Sequence, residues 1–180
     1  MTERSDSILV VIDVQERMMP VIDRSTSVTD EVLRVVSGFR ALDLPILVTE
    51  QYSKGLGHTV PAVRDALGEW YRPIDKTSFS AAGEMHFMQQ LETAARNRVF
   101  LCGVETHVCV YQTARDLVLM GWDVEIVTDA VGSRSEFNRH IALERLSRRG
   151  IELTTTEMVL FDLMNRADIP EFKTVSAIVK

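Results

Sequence analysis

The sequence predicts an α/β protein: a three-layer α-β-α sandwich built on a doubly wound, mainly parallel sheet of about six strands. Three observations predict it. Short, continuous apolar runs alternate along the whole chain with amphipathic stretches, the pattern of strands covered on both faces by crossover helices. The connections between them are short, so successive βαβ units wind with one hand into one sheet. No internal repeat, linker or low-complexity tract interrupts the series, and residues 1–180 read as one domain.

The first strand is Ile8 to Val14, an apolar run broken at Asp13. Ser25, Thr26 and Ser27 are cap-type residues ahead of a helix over Val28 to Leu42. Pro45 to Thr49 forms the second strand. Glu50 to Val60 (EQYSKGLGHTV) has two glycines and no period, so it reads as a loop, and Pro61 opens a short helix. Arg72 to Ser80 is a weak strand running into a loop. Glu84 to Ala95 is helical, with Met85, Met88 and Leu91 expected as a core stripe. Arg98 to Cys102 is a strand, followed by Gly103 and a helix from Thr106 to Met120 that Gly121 closes. Val124 to Thr128 is a strand ending at Asp129. A helix from Glu136 to Arg149 stops at Gly150 before a short strand, Ile151 to Leu153, and a last helix near Glu157 to Met164. The apolar segment Phe172 to Val179 is expected at a subunit interface.

Composition narrows the function. A hydrophobic share of 46% with 26% charged residues is that of a globular chain, and a net charge of −6 with no block of one sign argues against a nucleic-acid partner. The arginines at 145, 148 and 149 fall at a helix end, where cations suit the dipole. The polar start, Met1 to Ser7, and the short apolar run after it form neither a signal nor a membrane segment, so a cytoplasmic protein with no membrane partner is expected. Cys102 and Cys109 are the two cysteines, and both are expected as free thiols.

Ligands of parallel sheets bind at the carboxyl ends of the strands. Asp13, Glu50, Gln51, Lys76, Gly103 and Asp129 all fall there. Cys109 lies near the start of its helix, where free backbone N–H groups and the positive dipole end favour a thiolate nucleophile; a buried cysteine filling the core fits its surroundings equally well. Cys102, inside an apolar strand, reads as core. Asp13 reads either as a general base or as a loop brace. Lys76 reads as surface unless the topology brings it beside Asp13 and Cys109, where its charge would stabilise both anions.

The segments VVIDVQERM with Asp13, DKTSFSA with Lys76 and LCGVETHVCVYQTARD with Cys109 resemble, in this order, the signature stretches of isochorismatase-like hydrolases, and VTEQYSKGLGHTVPAV and DAVGSR extend the resemblance over nearly the whole chain. The resemblance implies a triad in which Asp13 is the general base, Lys76 gives electrostatic help and Cys109 attacks a carbonyl to form a covalent thioester-type intermediate. It also implies a non-proline cis peptide at Val104–Glu105, which aims the backbone N–H groups of Glu105 and Cys109 at an oxyanion, and a pocket formed by Gln51, Tyr52, Phe79, Val104, Glu105 and His107. The expected substrate is a small molecule with an amide-type C–N bond. Vinyl ether hydrolysis and a catalytically silent, oligomeric binding protein are the alternatives. A homo-oligomer is expected in either case.

Nicotinamidases of this superfamily hold a metal with an aspartate and two histidines after the second strand. Here that stretch offers Glu50, Gln51, Tyr52 and then His58, so no metal and no cofactor are expected, and the chain resembles the metal-free branch that includes the isochorismatase domain-containing proteins. A Cys-His pair is a poor rival, because His107 and Cys109 are two residues apart and face different sides of a helix. His58, His86 and His140 read as surface or loop residues. A haloacid-type phosphatase needs Asp-x-Asp and a receiver domain needs an acidic pair, whereas Asp13 stands between Ile12 and Val14.

Overall fold

The computed structural model describes residues 4–180; the first three residues of the polar stretch that begins at Met1 lie outside the described residues. The strands are β1 (Ser7–Ile12), β2 (Ile46–Gln51), β3 (Ile74–Lys76), β4 (Arg98–Val104), β5 (Asp123–Gly132) and β6 (Glu152–Thr154), and they form one all-parallel sheet in the order β3-β2-β1-β4-β5-β6. The helices are α1 (Ser25–Ala41), α2 (Ser53–Leu56), α3 (Pro61–Leu67), α4 (Met85–Ala94), α5 (Tyr111–Leu119), α6 (Glu136–Ser147), α7 (Thr156–Met164) and α8 (Phe172–Ile178). The three-layer α/β sandwich read from the sequence is the observed fold.

The period of two in a strand divides the core. Leu9 and Val11 of β1 face one layer with α1, α3, α7 and α8, whereas Ile8, Val10 and Ile12 face the other with α4, α5 and α6. Phe100, Cys102 and Val104 repeat the division on β4 against Val99 and Leu101. Phe39 of α1 meets Phe100 edge to face with centroids 5.8 Å apart. From β1 the chain winds out to β3, then returns to β4 and winds the other way. The junction between β1 and β4 is therefore the switch point at which an open α/β sheet parts its loops.

Several local expectations change. β1 ends at Ile12, because Asp13 turns out of the strand with φ +51. Ser25, Thr26 and Ser27 do not cap α1; the chain enters through Arg24 in the left-handed region, which makes the three residues its first turn. On α4 the buried face is set by the i, i+4 pair Phe87 and Leu91, so Met85 falls on the far side at 76% exposure. The loop after β2 contains the single helical turn α2. The carboxyl-terminal segment uses its apolar face inside the chain: Val175 is buried, and Phe172, Ile178 and Val179 pack on the layer that contains α1. No helix among the described residues is long and apolar enough to cross a membrane.

Candidate active site

The site is built at the carboxyl ends of β1 to β5. Gly103 lets β1 and β4 close on each other: its φ is +110, and a Cβ there would stand 2.0 Å from the Ile12 carbonyl oxygen. The residue after Ile12 is Asp13. Its N–H donates to the Thr49 carbonyl at 3.2 Å, and Oδ1 of its side chain accepts from the Thr49 hydroxyl at 2.7 Å. Oδ2 forms an ion pair with Lys76 Nζ at 2.8 Å and accepts no aligned hydrogen bond from any other group. The two side chains are 2% and 0% exposed. Such burial requires saturation with partners, and Lys76 has it: Nζ also donates to Gln51 Oε1 (2.6 Å) and to the carbonyls of Ser78 (3.2 Å) and Phe79 (3.1 Å). The carbonyls come from the turn after β3, which the Glu84 carboxylate ties to Thr77 and Ser78.

Cys109 sits on a π-helical turn, Thr106–Val110, between β4 and α5, the kind of widened turn that often marks a functional position. The Val104–Glu105 peptide that precedes it is cis. The Glu105 carbonyl accepts from the N–H groups of Val108 and Val110 (3.0 and 3.2 Å), on either side of the Cys109 N–H. Thr106 anchors the turn by donating its hydroxyl to the Gly132 carbonyl at 3.0 Å. Cys109 lines the same cavity as Asp13, and the charges of Asp13 and Lys76 both act on its thiol.

The structure corrects one electrostatic expectation. A helix start was expected to favour the thiolate. Instead, burial pushes the Cys109 thiol up to about 12, the negative charge of Asp13 adds to the rise, and Lys76 only partly opposes it. This shift favours the neutral thiol at Cys109. Alkylation needs the thiolate, whose population grows tenfold per pH unit below the pKa. Labelling of Cys109 by iodoacetamide, followed by peptide mass spectrometry, is therefore expected to climb steadily from about pH 7 to about pH 10. A plateau near the ordinary thiol value of ~8.5 refutes this. Cys102 is a free thiol like Cys109, but it is fully buried in the strand core and is pushed higher still by desolvation.

Above these groups opens a cavity of about 360 Å3. Asp13, Gln51, Phe79, Val104, Glu105 and Cys109, all expected from the sequence, line it, while Lys76 lies buried behind Asp13. Two expected residues do not. His107 turns away, its Nδ1 3.0 Å from the Ser133 hydroxyl, into a separate hollow between the π turn and α6, because residues two apart on a helical turn diverge. Tyr52 lies outside the lining: it turns in the left-handed region, donates its N–H to the Lys76 carbonyl and covers Gly55 with its ring. The sequence reading missed Met18, Leu56, Val108 and Arg134. Arg134 had a signal, as the last residue of DAVGSR just beyond β5. Gln15, also missed, braces the wall: its Oε1 accepts from Gln51 N–H (2.7 Å) and its Nε2 donates to the carbonyls of Gln51 (3.0 Å) and Gly57 (2.7 Å). A larger cavity, about 590 Å3, sits at the amino ends of the central strands beside Arg4, Leu42 and Leu44 and contains none of these groups.

The donors at the end of β2 and in the loop after it are already committed. Glu50 Oε1 accepts from Thr59 N–H, the Thr59 hydroxyl and the Tyr71 hydroxyl at 2.8 to 2.9 Å, and Oε2 is 3.0 Å from His58 Nδ1. Burial alone would raise the Glu50 pKa, but these bonds outweigh it and hold the carboxyl below its usual range. Burial and the bond to Glu50 push the Tyr71 phenol up to about 12. Among the described residues no group of three or more His, Cys, Asp or Glu side chains is arranged to hold a metal ion.

The six-stranded parallel sheet with helices on both faces is the isochorismatase-like α/β fold. Residues 7–158 match the isochorismatase domain, and the chain belongs to the isochorismatase family. It is 40% identical over 173 residues to isochorismatase domain-containing protein 2 of Danio rerio, covering 96% of this chain and 86% of that protein. It is 38% identical over 177 residues to a secreted isochorismatase effector of Phytophthora sojae, covering 97% and 84%. Among solved structures, MAR1 ribonuclease from Caenorhabditis elegans superposes with a TM-score of 0.92 at 38% identity, covering 99% of this chain and 91% of that one.

Proposed function

We propose that the protein is a cysteine hydrolase that cleaves a small amide-type C–N bond through the triad Asp13, Lys76 and Cys109, with neither metal nor cofactor. One observation carries the reading: a thiol and a carboxylate line one cavity of small-molecule size, and the carboxylate is held by a buried ammonium in a 2.8 Å ion pair. Because the thiol rests protonated, Asp13 takes its proton as Sγ attacks the carbonyl carbon. The backbone N–H groups of Glu105 and Cys109 receive the developing oxyanion. The C–N bond then breaks, the proton on Asp13 passes to the leaving nitrogen, and a thioester remains on Cys109. Water attacks the thioester, gives a proton to Asp13 and releases the acid, and the proton returns to Sγ. Lys76 keeps Asp13 in place and balances the negative charge that moves between carboxylate and sulfur.

The size of the cavity and the net charge of −6 support a small molecule over a polyanion as substrate. The absence of a metal from the mechanism is supported by the donors at the end of β2 and in the loop after it, which are engaged with one another and with Lys76. A homo-oligomer in the cytoplasm belongs to the same reading; Met85, Leu119 and Phe137, each more than 70% exposed, supply apolar surface for association. The test is to incubate the protein with a panel of small amides, imides and vinyl ethers, and to follow product release and intact mass. The expected result is release of amine and acid from an amide, with an acyl adduct on Cys109 that Cys109→Ala lacks. Turnover of vinyl ethers alone, or of nothing in the panel, overturns the reading.

A further inference from the structure

Three charged side chains line the cavity: Asp13, Glu105 and Arg134. Lys76 compensates the first. The other two compensate each other. Glu105, 4% exposed, accepts from Arg134 Nε at 3.2 and 3.0 Å, from Nη2 at 2.8 Å and from the Arg134 backbone N–H at 2.9 Å. This forked, charge-assisted pairing uses both carboxylate oxygens. It outweighs the desolvation that would otherwise raise the Glu105 pKa. Apart from Cys109 and Gln51, whose amide is engaged with Lys76 and the Thr77 carbonyl, the remaining wall is apolar: Met18, Leu56, Phe79, Val104 and Val108. A charged substrate end entering this space loses hydration and meets wall charges that are already paired, Arg134 through Nε and Nη2, while that side chain, 59% exposed, is otherwise open to solvent. An apolar or weakly polar end loses little.

We infer that the Glu105 side chain masks Arg134, so that the pocket selects amides whose acyl chain carries no charge, and that this pair is the specificity switch of the site. The inference rests on the proposed hydrolase only for the amide group; the charge preference belongs to the pocket itself. Removing either partner unmasks the other: Glu105→Gln leaves a guanidinium for anionic chains, and Arg134→Gln leaves a carboxylate for cationic ones. Removing both restores neutrality.

Three primary amides of similar size separate these cases: butyramide (neutral), succinamate (anionic) and β-alaninamide (cationic). Their affinities are to be measured by ligand-observed NMR titration in a Cys109→Ala background, which keeps the charges of the pocket and stops turnover. The Cys109→Ala protein is expected to bind butyramide at least about tenfold more tightly than either charged amide. Adding Glu105→Gln is expected to improve succinamate relative to butyramide by about tenfold or more, adding Arg134→Gln to improve β-alaninamide likewise, and adding both to cancel the two gains. Equal binding of all three amides, no binding of butyramide, or single variants that do not shift in opposite directions overturns the inference. The parent protein is assayed for hydrolysis in parallel. The charge pattern without C–N cleavage removes the hydrolase reading and leaves the mask; cleavage without the pattern does the reverse.

Discussion

Asp13→Asn is expected to lower kcat/KM for a hydrolysed amide by about 10^2- to 10^4-fold, the range assigned to a positioned proton-transfer group. A thiol held near 12 yields no useful thiolate at neutral pH by itself, so attack depends on a base in contact with it. The amide of the variant can still accept from the Thr49 hydroxyl but cannot take a proton. The substitution also strands the Lys76 ammonium, whose side chain is 0% exposed, and breaking one partner out of such a pair costs about 3–5 kcal/mol. Its remaining contacts with Gln51, Ser78 and Phe79 soften the loss. Chemistry and stability separate in the double variant Asp13→Asn with Lys76→Met, which removes both charges: the melting temperature should recover towards that of the parent while the rate stays low. Turnover within tenfold of the parent in a folded Asp13→Asn protein refutes Asp13 as the base.

Gly103→Ala is expected to destabilise the protein by about 4 kcal/mol or more, at the far end of single-substitution effects. The added methyl group would stand 2.0 Å from the Ile12 carbonyl oxygen and 2.8 Å from its carbon and nitrogen, with φ at +110. Backbone atoms of the central strand must then move, and no side-chain rotamer relieves the contact. Because Ile12 leads directly into Asp13, the shift is transmitted to the ion pair. Urea unfolding with Gly103→Ala, read by far-ultraviolet dichroism, measures the cost. A loss below about 1 kcal/mol shows that the two strands have slack at this point.

The features legible in the sequence were those written in local pattern. Continuous apolar runs such as Ile8–Ile12 and Val99–Cys102 can be satisfied only by a sheet covered on both faces, which fixed the class and the six strands. Asp13 and Lys76 stood out as strand-end residues and Cys109 as a residue of the turn after β4, and the resemblance to isochorismatase-like hydrolases joined the three into one expected site. The pocket wall was less accessible, since it is made where separate loops fold over one another. Leu56 reaches the cavity because Gln15 holds the 51–57 segment, and Arg134 matters because Glu105, 29 residues earlier, is its partner. Neither pairing has a periodicity to betray it. His107 was expected in the pocket, whereas its position on the π turn directs it towards α6. The direction of the thiol shift was misread for a related reason: helix position is visible in a sequence, but the depth of burial and a carboxylate carried from β1 are not.

The protonated rest state of Cys109 also bears on how the protein ages. Peroxide oxidises cysteine through its thiolate, and the first product, sulfenic acid, leads to irreversible acids. At neutral pH a thiol near 12 offers a thiolate fraction on the order of 10^-5. Under the proposed mechanism the sulfur gives up its proton only during attack on a seated carbonyl and presents little to a passing oxidant, so the burial that delays nucleophilicity until substrate arrives would also protect Cys109 between turnovers.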